Sequence, residues 1–452
     1  MGRRAITALL LVPLLLGMTS CRPKPVVELP VEGNITDLAV DYIARLAKGD
    51  FSAASVLHDA GMRTALPGNK LAEVWQGIIA QFGSYQNQLG TEIGRIHEFD
   101  LIFVTVHFER AFVRFRVVFN SNKQVAGFFI DSVEDSLTHL YQAPSYALHD
   151  SYTESEVIIG SGQWALPATL TLPAAPSPHP AVILVHGSGP HDRNETIGPN
   201  QPFKDLAWGL ASQGIAVLRY DKRTKVHGAR MDVNSITVWE EVVEDAVEAV
   251  RFLQADPRID SSGIFVLGHS LGATVAPRIA AATEGIAGLI LLAGASRPLE
   301  DVILDQVTYL GSTGHLPEGE AAVAEVRAQV TRVKSPNLSV NTPREQLPLG
   351  IAAPYWLDLR DFSPVQAARD LGIPLLVLQG ERDYQVTMAD FALWQQALHA
   401  QPGVHFKSYP ALNHLFIAGE GQITPQEYYR PGNVAREVID DITRWLRERM
   451  AK

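Results

Sequence analysis

The sequence contains a single cysteine, Cys21, among 452 residues. One cysteine cannot close an internal disulfide, and it cannot supply the thiolate sets of cysteine-rich metal sites. Positive charge is also in short supply, because 38 lysines and arginines stand against 49 aspartates and glutamates and the formal net charge is −11. We find no basic cluster interleaved with aromatic residues. Nucleic-acid binding through phosphate contacts is therefore not expected.

The N-terminus lacks an apolar run long enough for a transmembrane helix, which needs about 20 residues. Residues 5–17 are apolar but shorter, with Arg3 and Arg4 before them and Met18-Thr19-Ser20-Cys21 after them. This order is typical of a signal peptide, and small residues before a cysteine resemble a bacterial lipobox. We expect a signal peptide over 1–21, lipidation of Cys21, and export to the cell envelope as a membrane-anchored lipoprotein. The alternative is an ordinary secretory signal with an incidental cysteine.

The period of the apolar residues divides the rest of the chain. Helical spacing up to residue 82 is followed by β-rich runs at 101–130, which predicts a small α+β domain. Farther on, short apolar strands alternate with helices, as in a mostly parallel sheet covered on both faces. The predicted parts are a signal peptide (1–21), a tether (22–34), the α+β domain (35–131), a connector (132–152) and an α/β domain (153–452). An insertion at about 296–360 is expected to form a lid; a structural embellishment away from the site is the alternative.

The pentapeptide Gly-His-Ser-Leu-Gly at 268–272 is the strongest indication of catalytic function in the sequence. An apolar run at 264–267 precedes it, and a helix-compatible stretch at 273–282 follows it. A serine at such a strand–turn–helix junction projects its hydroxyl outward, and the flanking glycines leave room for neighbouring backbone. The pattern predicts Ser270 as a nucleophile.

A nucleophilic serine needs a base and an acid that orients the base. Asp383 comes just past the predicted strand at 374–379, and His414 follows the last predicted core strand. The order serine, aspartate, histidine is the one expected after an elbow of this kind. Glu381 is the alternative acid, and His405 is the alternative base.

The oxyanion of an acyl-transfer reaction needs two backbone N–H donors. Leu271, directly after the nucleophile, is one predicted donor. Ser188 is the other, since it lies in a glycine-rich loop after a buried strand, and Gly189 is the next choice. We expect His186 to be structural, and we expect Asp192-Arg193 and Asp221-Lys222-Arg223 to form ion pairs or loop staples near the site.

With these residues in place, the sequence resembles the EstD-type bacterial esterases of the α/β-hydrolase fold over residues 153–452. Residues 35–130 resemble the small domain of unknown function that often precedes such hydrolases. The resemblance implies carboxylesterase activity on short acyl chains. The stretches that carry it are His186-Gly187-Ser188-Gly189-Pro190 through Asp192-Arg193, Gly198-Pro199-Asn200 with Pro202-Phe203, Leu218-Arg219-Tyr220-Asp221-Lys222-Arg223-Thr224, Pro354-Tyr355-Trp356, Gln379-Gly380-Glu381-Arg382-Asp383-Tyr384-Gln385-Val386 and Leu412-Asn413-His414-Leu415-Phe416.

The predicted reaction is acyl transfer to water with a small-molecule ester as substrate, and it implies no metal or organic cofactor. Tyr355 and Trp356 are predicted to line the acyl pocket; packing within the insertion is their alternative role. Two other functions stay open. One is thioester or peptide hydrolysis by the same triad, and the other is a non-catalytic, envelope-binding lipoprotein. The oligomeric state is not predicted.

Overall fold

The protein is described by a computed structural model over residues 32–96, 99–135, 137–316 and 319–451. The predicted signal peptide, Cys21 and most of the tether lie outside these residues. The chain divides into two compact units between residues 139 and 140, inside the predicted connector.

The N-terminal unit contains helices followed by a four-stranded antiparallel sheet in the order β1-β2-β3-β4. Alternate residues of β2 and β3 point inward and are buried with one face of the amphipathic helix α1. The predicted α+β class of this unit is confirmed. Its helices are α1 (Ile35–Ala47), α2 (Phe51–Val56), α3 (Ala60–Ala65) and α4 (Gly68–Phe82), and its strands are β1 (Tyr85–Ile96), β2 (Phe99–Phe108), β3 (Ala111–Phe119) and β4 (Val125–Asp135).

Two details of this unit differ from the sequence prediction. Helical spacing up to residue 82 does not show that α2 ends at Val56 and that a new helix begins after Asp59, whose carboxylate accepts the Met62 N–H at 2.8 Å. Asp59 thus acts as an N-cap and starts a new helix. The strand β1 was not predicted, because it is an edge strand with mostly exposed residues and lacks an apolar alternation.

The C-terminal unit is built on an eight-stranded sheet in the order β12-β11-β10-β9-β7-β8-β6-β5. The six neighbouring strands β12, β11, β10, β9, β7 and β8 pair in parallel. Strand β6 is antiparallel to both of its neighbours, β8 and β5. The sheet comprises β5 (Tyr152–Ile159), β6 (Leu166–Pro173), β7 (His179–Val185), β8 (Ala216–Tyr220), β9 (Ile259–His269), β10 (Ile286–Leu292), β11 (Leu375–Gly380) and β12 (Val404–Tyr409).

Two large apolar clusters cover the two faces of this sheet, as expected for parallel strands with apolar residues on both sides. The predicted α/β-hydrolase fold is confirmed. The helices are α5 (Pro202–Ala211), α6 (Arg223–Val226), α7 (Glu244–Ala255), α8 (Leu271–Ala282), α9 (Leu299–Ser312), α10 (Gly319–Val333), α11 (Ala353–Leu359), α12 (Pro364–Leu371), α13 (Met388–Leu398) and α14 (Arg436–Met450).

The helical segment before β9 is not uniform, because a π-helical turn at Trp239–Val243 precedes α7. The predicted insertion is largely helical, with α9, α10 and α11 between β10 and β11, and it has a small apolar core that includes Leu347 and Trp356. Its role as a lid stays a prediction. Among the residues that the structure describes, no helix has both the length and the apolar character needed to cross a membrane.

Candidate active site

Ser270 stands between β9 and α8 in a backbone conformation that is costly for a residue with a side chain. Its φ and ψ angles are 54° and −117°. Such strain costs on the order of 1–3 kcal/mol and persists only where the surroundings enforce it. Here the Ser270 N–H donates to the Leu292 carbonyl at 2.9 Å, and the Ser270 carbonyl accepts the Thr274 N–H at 2.9 Å. The turn is held from both sides.

Close backbone contacts explain the two glycines of the pentapeptide. A Cβ on Gly268 would lie 2.3 Å from the Gly272 carbonyl carbon, and a Cβ on Gly272 would lie 2.3 Å from the Val185 carbonyl oxygen. Neither position can hold a side chain without moving backbone. Because Gly272 has no side chain, the end of β7 at Val185 can pack directly against the first turn of α8, next to Ser270.

The ends of β11 and β12 bring together the predicted acid and base. His414 Nδ1 lies 2.6 Å from Asp383 Oδ2, and both side chains are buried. The other carboxylate oxygen of Asp383 accepts the N–H groups of Gln385 and Val386 at 2.7 and 3.0 Å. These donors fix the carboxylate, so the imidazole is held with Nδ1 toward the acid and Nε2 away from it.

The His414 backbone is tied to the serine turn through His269. The Nε2 atom of His269 lies 2.9 Å from the His414 carbonyl oxygen, and the two imidazole rings are 4.7 Å apart. Because His269 directly precedes Ser270, this contact keeps His414 beside the turn.

The alternative acid and base are placed elsewhere. The Glu381 carboxylate accepts a hydrogen bond from the Ser408 hydroxyl at 2.8 Å, and His405 is an exposed residue within β12. The structure therefore pairs His414 with Asp383 and not with Glu381.

One predicted oxyanion donor directly follows the nucleophile in the chain, and the other lies in the loop after β7. Leu271 opens α8 and is buried, and Ser188 follows Gly187 in the loop after β7. A Cβ on Gly187 would lie 3.1 Å from the Ser270 Cβ, so this loop contacts the serine. The Gly187 N–H donates to Glu195 Oε1 at 2.7 Å. It is therefore engaged within the loop, and the oxyanion roles of the Leu271 and Ser188 N–H groups stay predictions.

Glu195 and His269 form a buried ion pair that sequence reasoning missed. Glu195 Oε2 lies 2.8 Å from His269 Nδ1, although this N–H does not point straight at the oxygen. Burial opposes charge on both groups, but their mutual attraction outweighs it: the pKa of His269 is raised and that of Glu195 is lowered to about 2. Glu195 also has a positive φ of 51°. A glutamate in a polar loop gives no periodic signal, and only the position of His269 inside the pentapeptide hinted at a role.

The predicted ion pairs near the site are confirmed. Arg193 Nη2 lies 3.0 Å from Asp221 Oδ2, and Arg223 pairs with the buried Asp245. Lys222, which is 2% exposed, donates to the Gly187 carbonyl at 2.7 Å and pairs with Glu241 Oε1 at 2.5 Å. His186 is also structural as predicted, because it is buried with Nε2 3.0 Å from the Asp192 carbonyl oxygen, and burial lowers its pKa to about 4.

Tyr355 and Trp356 both lie in α11 and are buried. The Tyr355 hydroxyl donates to Glu241 Oε2 at 2.8 Å, and burial raises its pKa well above the usual range. The Trp356 indole N–H donates to the Ile351 carbonyl at 3.1 Å within the core of the insertion. These are the contacts that the packing alternative requires, and an acyl-pocket role for either residue stays a prediction. Within the described part of the chain, no group of three or more histidine, cysteine or acidic side chains is arranged to hold a metal ion.

Comparison with known proteins places the chain in a family. Esterase EstD from Thermotoga maritima is 37% identical over 416 residues, which are 92% of this chain and 96% of that protein. The chain belongs to the esterase EstD family. The predicted resemblance is thereby confirmed. Residues 176–343 also match a family model described as serine aminopeptidase, S33, and residues 39–128 match a protein family of unknown function, DUF3887.

Solved esterase structures are more distant from this EstD family member. Est1E from Butyrivibrio proteoclasticus is 17% identical with a TM-score of 0.44, covering 66% of this chain and 99% of that chain. The Pyrococcus furiosus esterase Pf2001 is also 17% identical with a TM-score of 0.42, covering 66% of this chain and 92% of that chain. The family assignment rests on the EstD match.

Proposed function

We propose that the protein is a serine carboxylesterase that hydrolyses short-chain esters through Ser270, His414 and Asp383. The observation that carries the proposal is the 2.6 Å contact between His414 Nδ1 and Asp383 Oδ2, tied through His269 to the strained turn that presents Ser270. The match to esterase EstD over 92% of this chain supports the choice of esters as substrates.

The contacts of His414 suit it to move the proton of the serine. With Nδ1–H donating to Asp383, Nε2 carries the lone pair that takes the proton as Ser270 Oγ attacks the ester carbonyl. The Leu271 and Ser188 N–H groups bind the oxyanion of the tetrahedral intermediate. His414 then returns the proton to the leaving alcohol, and water releases the acid from the acyl-enzyme by the same two steps in turn.

Peptide hydrolysis is the second candidate, because residues 176–343 match the model described as serine aminopeptidase. The same triad can cleave an amide, so the choice depends on the leaving group that the site accepts. The EstD match extends over nearly the whole chain and favours an ester.

The test combines covalent labelling with a substrate panel. A fluorophosphonate should label Ser270 in the native protein and leave the Ser270→Ala variant unlabelled, as peptide mapping by mass spectrometry would show. Hydrolysis should be fastest with short-chain p-nitrophenyl esters, slower with longer chains, and weak with acyl-CoA thioesters and aminoacyl p-nitroanilides. A Ser270→Ala protein that kept its turnover would refute the nucleophile, and anilides cleaved faster than esters would make the protein a peptidase.

We also propose that the enzyme is exported and anchored to a membrane by lipid on Cys21. The motives are the short apolar run before Cys21 and the proline-containing tether after it. A single acyl chain anchors weakly, whereas bacterial lipidation supplies several. The native protein should fractionate with membranes and incorporate labelled palmitate, and Cys21→Ser should do neither while keeping its esterase activity. Label incorporation that survives Cys21→Ser would exclude this anchor.

A further inference from the structure

A buried chain of polar groups joins the inserted segment to the loop that carries Ser188, and the mechanism above does not use it. Tyr355 in α11 donates to one oxygen of Glu241, and Lys222 binds the other oxygen. The Lys222 ammonium also donates to the Gly187 carbonyl at 2.7 Å. The chain thus runs from a helix between β10 and β11 to the peptide bond beside the nucleophile.

The geometry of a peptide unit makes the last contact important. The Gly187 carbonyl and the Ser188 N–H belong to one planar trans peptide, in which C=O and N–H point in opposite directions. Whatever fixes the carbonyl therefore fixes the direction of the N–H. A charged donor on the oxygen also polarises the unit and strengthens its N–H as a donor.

The position of Lys222 is itself enforced. Its side chain is 2% exposed and that of Glu241 is 12% exposed, so neither charge is well solvated. A buried ammonium needs a carboxylate and further hydrogen bonds to be tolerated, and Glu241 and the Gly187 carbonyl supply them. Glu241 lies in the π-helical turn Trp239–Val243, a distortion that is frequent at functional sites.

The preceding N–H of the same loop is also occupied. Gly187 donates to Glu195 at 2.7 Å, so Gly187 is held at its N–H by a carboxylate and at its carbonyl by an ammonium. Rotation of the Gly187–Ser188 peptide would break the Lys222 contact and leave that charge with one partner fewer.

We propose that Lys222 is a positioning residue that aims the Ser188 N–H at the oxyanion, and that Tyr355 of the inserted segment maintains it through Glu241. The inference rests on the proposed function, because it assigns the oxyanion of that reaction to the Ser188 N–H. It gives Tyr355 a role distinct from that of an acyl-pocket wall.

The test compares Lys222→Met, Glu241→Gln and Tyr355→Phe. Loss of one oxyanion donor typically lowers kcat by about 10²–10³-fold, and we expect a loss of that order for Lys222→Met with KM little changed. Glu241→Gln should cost less, and Tyr355→Phe should lower kcat by roughly 3–10-fold, since a single hydrogen bond to Glu241 is lost. Turnover is expressed per serine titrated with fluorophosphonate, so that misfolded protein does not count.

Two matched controls separate positioning from general stability. Lys334→Met removes a lysine of the inserted segment that forms a partly exposed ion pair with Asp301. Tyr309→Phe removes a tyrosine hydroxyl of the inserted segment that donates to the Ile423 carbonyl. Both should keep kcat per titrated serine within about twofold. Neither residue belongs to the chain from Tyr355 to Gly187.

A second readout covers the case in which Lys222→Met fails to fold. A trifluoromethyl ketone forms a tetrahedral oxyanion with the serine, so its inhibition constant should rise in Tyr355→Phe and Glu241→Gln by the same factor as kcat/KM falls. The binding of the product acid should not change. Adding Tyr355→Phe to a Lys222→Gln variant should not lower kcat further. Without Lys222, Tyr355 no longer has a connection to the Gly187–Ser188 peptide.

Outcomes that overturn the inference differ from those that overturn the esterase. If native protein labels at Ser270 and hydrolyses esters while the Lys222, Glu241 and Tyr355 variants keep kcat per titrated serine within about twofold, the positioning role is wrong and the esterase stands. Additive effects of Lys222 and Tyr355 would also reject the chain. If native protein is not labelled at Ser270, the proposed function and this inference both fail.

Discussion

In the N-terminal unit His58 is buried against Tyr42, whereas in the C-terminal unit His269 is buried against Glu195. The Tyr42 hydroxyl and His58 Nε2 are 2.8 Å apart, and burial lowers the pKa of His58 to about 4. Burial acts on His269 in the same direction, but the carboxylate of Glu195 outweighs it and raises the pKa. Burial alone lowers the pKa of a histidine, whereas a carboxylate in close contact can outweigh burial and raise that pKa.

The two units also differ in where they place other charges. Arg45 and Asp41 pair on the surface of the N-terminal unit, with side chains 32% and 47% exposed. In the C-terminal unit, Lys222 and Glu195 are buried with their partners within reach of the Gly187 peptide. Burying a charged group costs desolvation free energy. Buried groups with shifted pKa values are frequent at functional sites. Among the residues that the structure describes, the buried charged side chains lie in the C-terminal unit, and two of them, Lys222 and Glu195, hold the Gly187 peptide beside Ser270.

The largest expected effect is the difference in kcat between a variant of His414 and a variant of His58. His414→Ala should lower kcat for p-nitrophenyl esters by about 10⁴–10⁶-fold, because base and nucleophile act as a unit. His58→Gln should leave kcat per titrated serine unchanged, since its partner Tyr42 belongs to the core of the N-terminal unit. Comparable losses in both variants would remove the distinction between a chemical and a structural histidine.

Asp383→Asn should lower kcat by roughly 10³–10⁴-fold with little change in KM, because an amide favours the wrong tautomer of His414. Glu381→Gln is the matched control, since Glu381 accepts a hydrogen bond from Ser408 instead. Steady-state kinetics on one short-chain ester checks both. If Glu381→Gln proved the more damaging change, the acid would have to be reassigned.

Sequence reasoning predicted the fold and selected Ser270, Asp383 and His414 as the candidate triad because both follow simple rules. Apolar strands alternating with helices specify a parallel sheet, and the loops after its strands place Ser270, Asp383 and His414 at one edge. The acidic residues near the site were missed for a physical reason. Glu195 and Glu241 lose most of their exposure only when segments distant in sequence meet, and no local period marks such a position.

The same limit applies to details of the fold. The strand β1 has few inward-facing apolar residues, so its pairing with β2 shows only in three dimensions. The π-helical turn before α7 keeps the apolar spacing of a helix closely enough to be read as one. Tyr355 and Trp356 were selected for their aromatic area, which predicts burial but does not say against what.

Glu195→Ala should destabilise the C-terminal unit by about 1–3 kcal/mol, because it leaves the buried Gly187 N–H without its acceptor and removes the carboxylate beside His269. It should also lower kcat, since the Gly187 N–H and the His414 carbonyl both depend on this pair. Glu195→Gln should lose less, because the amide oxygen can still accept a hydrogen bond from the Gly187 N–H. Urea unfolding and kcat per titrated serine measure the two effects. Equal losses in the alanine and glutamine variants would mean that the charge alone matters.

The smallest expected effect is that the stabilities of the two units change with pH in opposite directions. The lowered pKa of His58 means that the unfolded chain binds more protons between about pH 4 and 6.5, so its contribution to stability is lost as the pH falls through this range. Asp59 opposes that shift and Arg63 supports it. The raised pKa of His269 means the reverse: its contribution is complete below about pH 6.5 and is lost as the pH rises through the raised value.

Hydrogen exchange read by mass spectrometry can follow the two units separately, because amides report local as well as global opening. Protection at residues 101–119 should fall on acidification toward about pH 4 in native protein and depend less on pH in His58→Gln. Protection at residues 264–292 should fall above about pH 6.5, and His269→Gln should remove that fall. Glu195 does not offset this trend, because its pKa of about 2 keeps it charged throughout the range. If stability changed with pH in the same direction in both units, Glu195 would not raise the pKa of His269.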